Sequence, residues 1–305
     1  MDLISSFRTF IRVAETESFS AVAREFRVGQ PAVSKQIAAL EEHLGARLLQ
    51  RSTRALTLTD EGVEFLSQAR AAVEAADEAV ERMRGRDGHV SGVLRMTTSA
   101  SFARMHIVPR LHLLGRRHPD LRVDLVLQDS VIDMVEQGLD LAIRFGEPRE
   151  PNLVARRLGT VRMIVVASKQ YLEKWGRPAT PDELKDHSCL VFSGIADADQ
   201  WPFVDNNQTR YVGVNWRVRI NNSDALRQAV LSGLGIAMMP SWQFPDLWEN
   251  ESLETLFDEY ETTSLPMYAV YPSRRHTPAK VRAMIEFLQH EIGIDPTMTG
   301  GVGLV

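Results

Sequence analysis

Apolar residues in the first third of the chain recur at helical spacing and divide it into a short series of helices. Leu3, Phe7, Phe10, Val13 and Ala14 advance by steps of four and three, which predicts an amphipathic helix over residues 2–15. Val22, Ala23 and Phe26 give a second helix its apolar face; Val33, Ile37, Leu40 and Leu44 give a third. Arg27, Val28 and Gly29 form the three-residue turn between these two, as in a helix-turn-helix. Pro31 stands in the first turn of the third helix, where a missing N–H costs nothing. Farther on, Phe65, Ala69, Ala72, Ala76, Ala79 and Met83 form a heptad seam. It lies on a helix of roughly 25 residues, about 37 Å long, with Thr59 as N-cap. Small residues there admit a second copy closely; alternatively the seam packs on the chain's own body, whose face so long a helix outreaches.

Between the third helix and the seam, Leu56 and Leu58 alternate with polar neighbours, which predicts a short β-ribbon, or wing, with Arg51, Thr53 and Arg54 at its tip. Gly85 to Gly92 holds three glycines and little apolar content, so a hinge is placed there. Beyond it, period-two and period-3.6 stretches alternate. Strands are expected at 93–97, 121–127, 140–144, 162–167, 189–192, 217–220, 236–239 and 266–271. Helices are expected at 102–117, 131–137, 169–174, 181–185, 223–232 and 278–292, with a capping box at Thr180-Pro181-Asp182-Glu183. Such alternation predicts an α/β body with mostly parallel sheets.

Composition refines this outline. A chain of 305 residues, 44% hydrophobic and 25% charged, is globular and too long for one core. The net charge of −5 argues against nucleic-acid binding by the whole surface. Between Arg24 and Arg54, however, six basic residues face three acidic ones, a basic island in an acidic chain. A single cysteine, Cys189, excludes an internal disulfide, and no apolar run nears the roughly 18 residues of a membrane span. With no signal-peptide pattern after Met1, a cytoplasmic location is expected.

The polar side of the third helix carries the chemistry. Gln30 can pair adenine bidentately, Lys35 can reach guanine or phosphate, Ser34 can donate or accept, and Pro31 or Ala32 can touch a thymine methyl. By spacing alone the pair also fits an ordinary helical hairpin. The wording is more specific: Ser18-Phe19, Val22-Ala23, Gln30-Pro31-Ala32-Val33-Ser34 and Leu40-Glu41-Glu42-His43-Leu44-Gly45, followed by Leu58-Thr59-Asp60-Glu61-Gly62. This resembles the DNA-binding region of LysR-type transcriptional regulators, with Glu17 where Gly is usual, Gly29 where Ser or Thr is, and Leu49 for Phe. The resemblance implies an all-α-dominated winged helix-turn-helix head at 1–59, a linker and dimerisation helix at 60–84, and a hinge at 85–92. It further implies a two-lobed α/β effector domain, like periplasmic binding proteins, at 93–305. Lobe 1 would span about 93–161 and 267–296, and lobe 2 about 162–266. Implied DNA contacts are Ser18, Ser20, Gln30, Pro31, Ala32, Ser34, Lys35, Arg51, Thr53 and Arg54. Implied partners are double-stranded operator DNA, a small-molecule effector, a second copy (as a homodimer and a dimer of dimers) and, for an activator, RNA polymerase, with no membrane.

Ligands in open α/β sheets bind beyond the carboxyl ends of strands. Ser99 and Ser101 there can hold a carboxylate at the following helix N-terminus or simply cap it. Phe102 opens the following helix, and the equivalent strand ends offer Gln128, Arg144, Phe145, Phe192 and Asn221-Asn222-Ser223. Arg144 either pairs a carboxylate or makes a structural ion pair, and Phe145 and Phe192 either sandwich a ring or belong to the core. No cofactor or metal is expected, because no clustered Cys/His set, nucleophile elbow, zinc-protease helix or phosphate loop is present. A solute-binding module or an α/β enzyme with a helical extension would explain the body, but neither accounts for Gln30–Ser34 or the wing.

Overall fold

The computed structural model describes residues 2–51, 56–83, 90–130, 132–148, 150–205, 208–245, 252–262, 264–272 and 277–293. They fall into two compact units, one built on the chain up to Val90 together with the segments 132–140 and 275–279, the other on the remainder from Ser91 onward.

The first unit is helical. Helix α1 (Leu3–Thr16) is capped by Asp2, whose carboxylate accepts from Ser5 N at 3.1 Å. Ser18 caps α2 (Phe19–Phe26) in the same way, accepting from Ala21 N at 3.2 Å. Arg27 ends α2 in the left-handed region, and Val28 N returns to Ala23 O at 2.9 Å, so the three-residue turn is a closed C-cap. Helix α3 (Gln30–Leu44) then buries Val33, Ile37 and Leu40 against Phe10, Val13, Val22 and Ala23. Phe26 and Leu44, expected on the apolar faces, are each 38% exposed, because each lies at a helix end beyond the crossing. A polar strut fastens α1 to α3: Thr9 Oγ1 donates to Gln36 Oε1 at 3.0 Å, and Gln36 Nε2 donates to Ser5 Oγ at 3.2 Å. Glu41 Oε1 accepts from Leu48 N at 2.8 Å and Leu49 N at 3.1 Å, which fixes where the wing leaves. Strands β1 (Leu49–Arg51) and β2 (Leu56–Leu58) pair antiparallel as that wing. Thr53, Arg54 and the Arg51 side chain lie outside the described residues.

Helix α4 (Asp60–Met83) starts where Thr59 Oγ1 accepts from Gly62 N at 2.9 Å and donates to Arg47 O at 2.6 Å. The expected seam is divided. Phe65 packs edge-on against Phe7 at 5.2 Å, and Ala69 is fully buried in the head's own core, so these two positions are used within the chain. Ala72 and Ala76 are half-buried and Ala79 is exposed. The Met83 side chain and residues 84–89, which include most of the hinge expected at 85–92, lie outside the described residues.

In the second unit the chain runs β3 (Gly92–Thr98), α5 (Ala100–Phe102), a wide π turn at Ala103–Ile107, a 3-10 turn at Val108–Arg110 and α6 (Leu111–Arg117). The single helix expected over 102–117 is therefore interrupted. Pro109 has no N–H for the carbonyl of Met105, and Arg110 Nη1 reaches back to Met105 O at 3.5 Å and His106 O at 3.2 Å. Next come β4 (Leu121–Leu127), β5 (Leu141–Phe145) and β6 (Leu153–Val161). The sequence predicts a helix at 131–137; residues 132–137 instead run into turns, with Gly138 at positive φ, and 132–140 count with the first unit. Then follow β7 (Met163–Ser168), α7 (Lys169–Trp175), a 3-10 helix at Pro181–Asp186, β8 (Cys189–Phe192), β9 (Gln200–Asp205) and β10 (Gln208–Gly213). The expected capping box does not form: Glu183 Oε2 accepts from Ala179 N, one residue before the N-cap, at 2.9 Å, and Thr180 donates its hydroxyl to Glu183 instead of capping. The chain finishes with β11 (Trp216–Ile220), α8 (Ser223–Leu231), β12 (Ile236–Pro240), β13 (Leu253–Leu256), β14 (Glu261–Thr262), β15 (Leu265–Pro272) and α9 (Ala279–Gly293).

Two five-stranded sheets result, ordered β4-β3-β5-β15-β6 and β11-β8-β12-β7-β13, with a small antiparallel sheet β10-β9-β14 beside them. Each large sheet joins two parallel pairings to two antiparallel ones, so the expectation of mostly parallel sheets fails at β15 and β7. The chain leaves the first sheet after Val161 and enters the second at Met163; it returns at Leu265, which pairs with Val161. In the second lobe, Val165 and Ala167 of β7 join one core and Ile164 and Val166 the other. Both faces are covered, which is why that strand is continuously apolar.

Candidate functional site

Two surfaces carry chemistry, one in each unit. In the head, Gln30, Pro31, Ala32 and Lys35 are exposed on α3 opposite its buried stripe, with Ser34 half-buried beside them. Ser20 Oγ donates to Gln30 Oε1 at 3.2 Å, so α2 holds the amide while its NH2 group stays available. Ser18, by contrast, is engaged as the N-cap of α2. Arg24, Arg27 and Arg47 are exposed on the same unit, and the basic island is thus a solvated surface. Such a face can grip phosphates and present donors and acceptors to base edges.

In the body, the functional groups gather where β3, β4, β5, β11 and β12 end, all on the seam between the two lobes. A closed circuit of contacts can be traced. Thr98 O accepts from Gln128 N at 3.0 Å, and the adjacent Asp129 Oδ2 accepts from Asn222 Nδ2 of the other lobe at 2.8 Å. Asn222 caps α8, whose first residue, Ser223, accepts at Oγ from Gln243 Nε2 at 2.7 Å. Next to Gln243, Trp242 meets Phe102 edge-on at 5.5 Å and lies over Phe145 at 6.0 Å. Phe102 touches Phe145 at 5.2 Å and follows Ser101, which closes the circuit. The π turn sets His106 over Phe102 at 5.1 Å and edge-on to Trp242 at 5.2 Å. At the rim, Arg104 bridges the lobes to Asp224 at 2.7 Å, and that hydrogen bond raises the guanidinium pKa further.

Within this circuit five buried polar atoms have no hydrogen-bond partner among the described residues: Thr98 Oγ1, Ser101 Oγ, Asp129 Oδ1, Trp242 Nε1 and Gln243 Oε1. Native interiors pair nearly all such groups with protein or ordered water, so this cluster is a place where water or a ligand supplies the missing partners.

The eight body residues read from sequence divide. Ser101, Phe102 and Phe145 lie in the circuit, and Ser99 caps its short helix, accepting from Phe102 N at 3.3 Å. Arg144 is bound by Glu150, six residues on, and so makes an ion pair within its own lobe. Phe192 packs with Leu226 and Val230 in lobe 2 and does not face Phe145. Gln128 is exposed and donates to Ser130 at 2.9 Å; Asn221 is exposed, and its neighbour Asn222 makes the contact. The stretch Asn221-Asn222-Ser223 is a cleft candidate by sequence, and its second residue makes the contact; sequence reading misses Thr98, His106, Asp129, Trp242 and Gln243. The signal was available for two of them: Asp129 and Trp242 follow the carboxyl ends of β4 and β12, by the same rule that picked out Ser99 and Asn221-Asn222. Among the described residues no cluster of metal-ligating side chains occurs, and no helix is long and apolar enough to cross a membrane.

Comparison with known proteins bears on both units. Residues 4–63 match the family model described as bacterial regulatory helix-turn-helix protein, lysR family, and residues 87–293 match the LysR substrate binding domain. An HTH-type transcriptional regulator of Haemophilus influenzae is 33% identical over 281 residues, 92% of this chain and 98% of the relative. The regulator DmlR of Escherichia coli is 32% identical, over 95% of this chain and 94% of its own length. Among solved structures, CrgA, a LysR-type transcriptional regulator from Neisseria meningitidis, aligns with a TM-score of 0.61 at 30% identity, over 95% of this chain and 98% of that one.

Proposed function

The chain belongs to the LysR family of transcriptional regulators, and on that premise we propose which residues read DNA, where the effector binds and how copies assemble. It is a sequence-specific DNA-binding regulator with an effector-binding domain, and not an enzyme. In our reading α3 enters the major groove, with Gln30, Ser34 and Lys35 toward base edges and Pro31 and Ala32 against thymine methyls. Ser20 positions Gln30, and Arg51, Thr53 and Arg54 of the wing meet phosphates. The observation that carries this is the exposed Gln30, tethered by Ser20 at 3.2 Å opposite a fully packed helix face. Gln30→Ala weakens operator binding by about 1–3 kcal/mol with little change on random DNA, measured by titration at fixed salt. Equal losses on both DNAs would remove Gln30 from base readout.

The effector binds on the seam between lobes, a reading supported by the five unpartnered buried atoms there. Those atoms are closed off as the lobes stand, so a ligand reaching them must part the seam, and binding favours one lobe arrangement by its differential affinity. The molecule works in the cytoplasm as a homodimer, and as a dimer of dimers on extended operators. As an activator it would also contact RNA polymerase. No cofactor enters this scheme.

A further inference from the structure

We propose that the effector of this chain is not an anion: the seam takes a flat molecule whose polar edge donates hydrogen bonds, an arylalkylamine or a polyhydroxylated ring. This rests on the interlobe site proposed above and specifies its ligand.

The inference follows from what each unpartnered atom can do. Asp129 Oδ1 belongs to a carboxylate whose other oxygen is held only by the neutral Asn222 amide among the contacts described, so an ionised Asp129 can accept and never donate. Gln243 commits its NH2 group to Ser223, which leaves Oε1 as an acceptor in a residue 1% exposed. Trp242 Nε1 is a lone donor. The Thr98 and Ser101 hydroxyls adapt to either role. Fixed acceptors therefore outnumber fixed donors, and the one formal charge among these atoms is negative.

Among the described residues, the arginines beside these atoms are engaged elsewhere. Arg144 is bound by Glu150, Arg104 by Asp224, and Arg227 donates to the carbonyl of Gln243 at 2.8 Å while its guanidinium lies over Phe244 at 5.5 Å. A carboxylate ligand brought to Asp129 would set two like charges together in a water-poor seam, the least favourable pairing available there. An ammonium or hydroxyl donor would instead make a charge-assisted hydrogen bond to Oδ1. The faces of Phe102, Phe145 and Trp242 suit a planar body and attract positive charge through their ring quadrupoles.

Charge-matched probes test this on the full-length protein by thermal shift and calorimetric titration: tyramine against 4-hydroxyphenylacetate, and catechol against benzoate. Tyramine or catechol is expected to raise Tm while the two carboxylates leave it unchanged. Asp129→Asn should lower affinity for the stabilising probe about tenfold or more. Gln243→Met, which removes the second acceptor at similar volume, should lower it as well and serves if Asp129→Asn fails to fold. Stabilisation by the carboxylates alone, or by none of the four probes, overturns the proposal. Ser101→Phe separates the two levels of failure. A carboxylate shift abolished by Ser101→Phe leaves the site standing and removes the ligand class, whereas any probe's shift that survives Ser101→Phe removes the site itself.

Discussion

At the scale of single residues, burial and partner decide what a side chain can do, and sequence shows neither directly. Cys189 lies against Leu184 O inside lobe 2, and burial pushes its thiol from 9.0 up to about 12. The native protein should therefore be inert to a thiol reagent near pH 8 and react once unfolded. The linkage follows from the same shift: above pH 9 the unfolded thiol is ionised while the folded one keeps its proton, so stability falls as pH rises from about 9 toward 12. Relative to Cys189→Ala, the parent should lose up to about 1.4 kcal/mol more per pH unit in that window, read from denaturant midpoints; equal slopes would show that the thiol titrates normally. The candidate site was legible to the extent that chain position decides it. Gln30 and Lys35 are exposed because they sit off a regular apolar stripe, and Ser101 and Phe102 follow a strand end. Arg144 was open to two readings for a physical reason: nothing in spacing tells whether Glu150 or a ligand will take a guanidinium.

At the scale of elements, periodicity located the helices of the head and most strands of the body, and errors fall where backbone geometry departs from one period. The 102–117 segment has a helical pattern throughout, yet Pro109 forces a π turn and a 3-10 turn into its middle. That irregularity carries His106 to the rings of Phe102 and Trp242. Strands β9 and β10 escaped notice because Gln200–Asp205 and Gln208–Gly213 mix polar and apolar residues in short runs on a small sheet. Close approach is a further element-level constraint that no hydropathy pattern displays. A Cβ on Gly62 would lie 2.0 Å from Leu48 O, a backbone atom held by its own hydrogen bond from Thr59 N at 3.0 Å. Gly62→Ala should thus displace the start of α4 and destabilise the head by about 2 kcal/mol or more, although alanine is the better helix former. A head fragment that melts at an unchanged temperature would refute this.

At the scale of the whole molecule, the family match joins a DNA reader to a sensor, and the remaining question is how copies meet. With Phe65 and Ala69 consumed inside the head, the surface left for a second α4 is Ala72, Ala76, Ala79 and the 48% exposed Val80. If the proposed dimer forms through this surface, Ala76→Glu should give monomers by sedimentation and cost about a hundredfold in operator affinity, since two tethered heads lose their mutual effective concentration. A dimer persisting with Ala76→Glu would move the interface elsewhere. Alternation of strands and helices made the α/β class legible, but strand direction was not, because a reversed strand carries the same apolar pattern as a parallel one. The crossing between sheets has a consequence of its own. Lobe 2 departs at Arg162 and returns at Leu265, and Leu265 pairs with Val161, so the whole lobe is one uninterrupted insert whose ends lie side by side. It has the anatomy of a portable module: residues 162–264 expressed alone should fold with a cooperative melt, while lobe 1 requires its two segments to be spliced. A reporter protein with neighbouring termini could be placed at that same doorway, where the opening and closing of the lobes would bear directly on it.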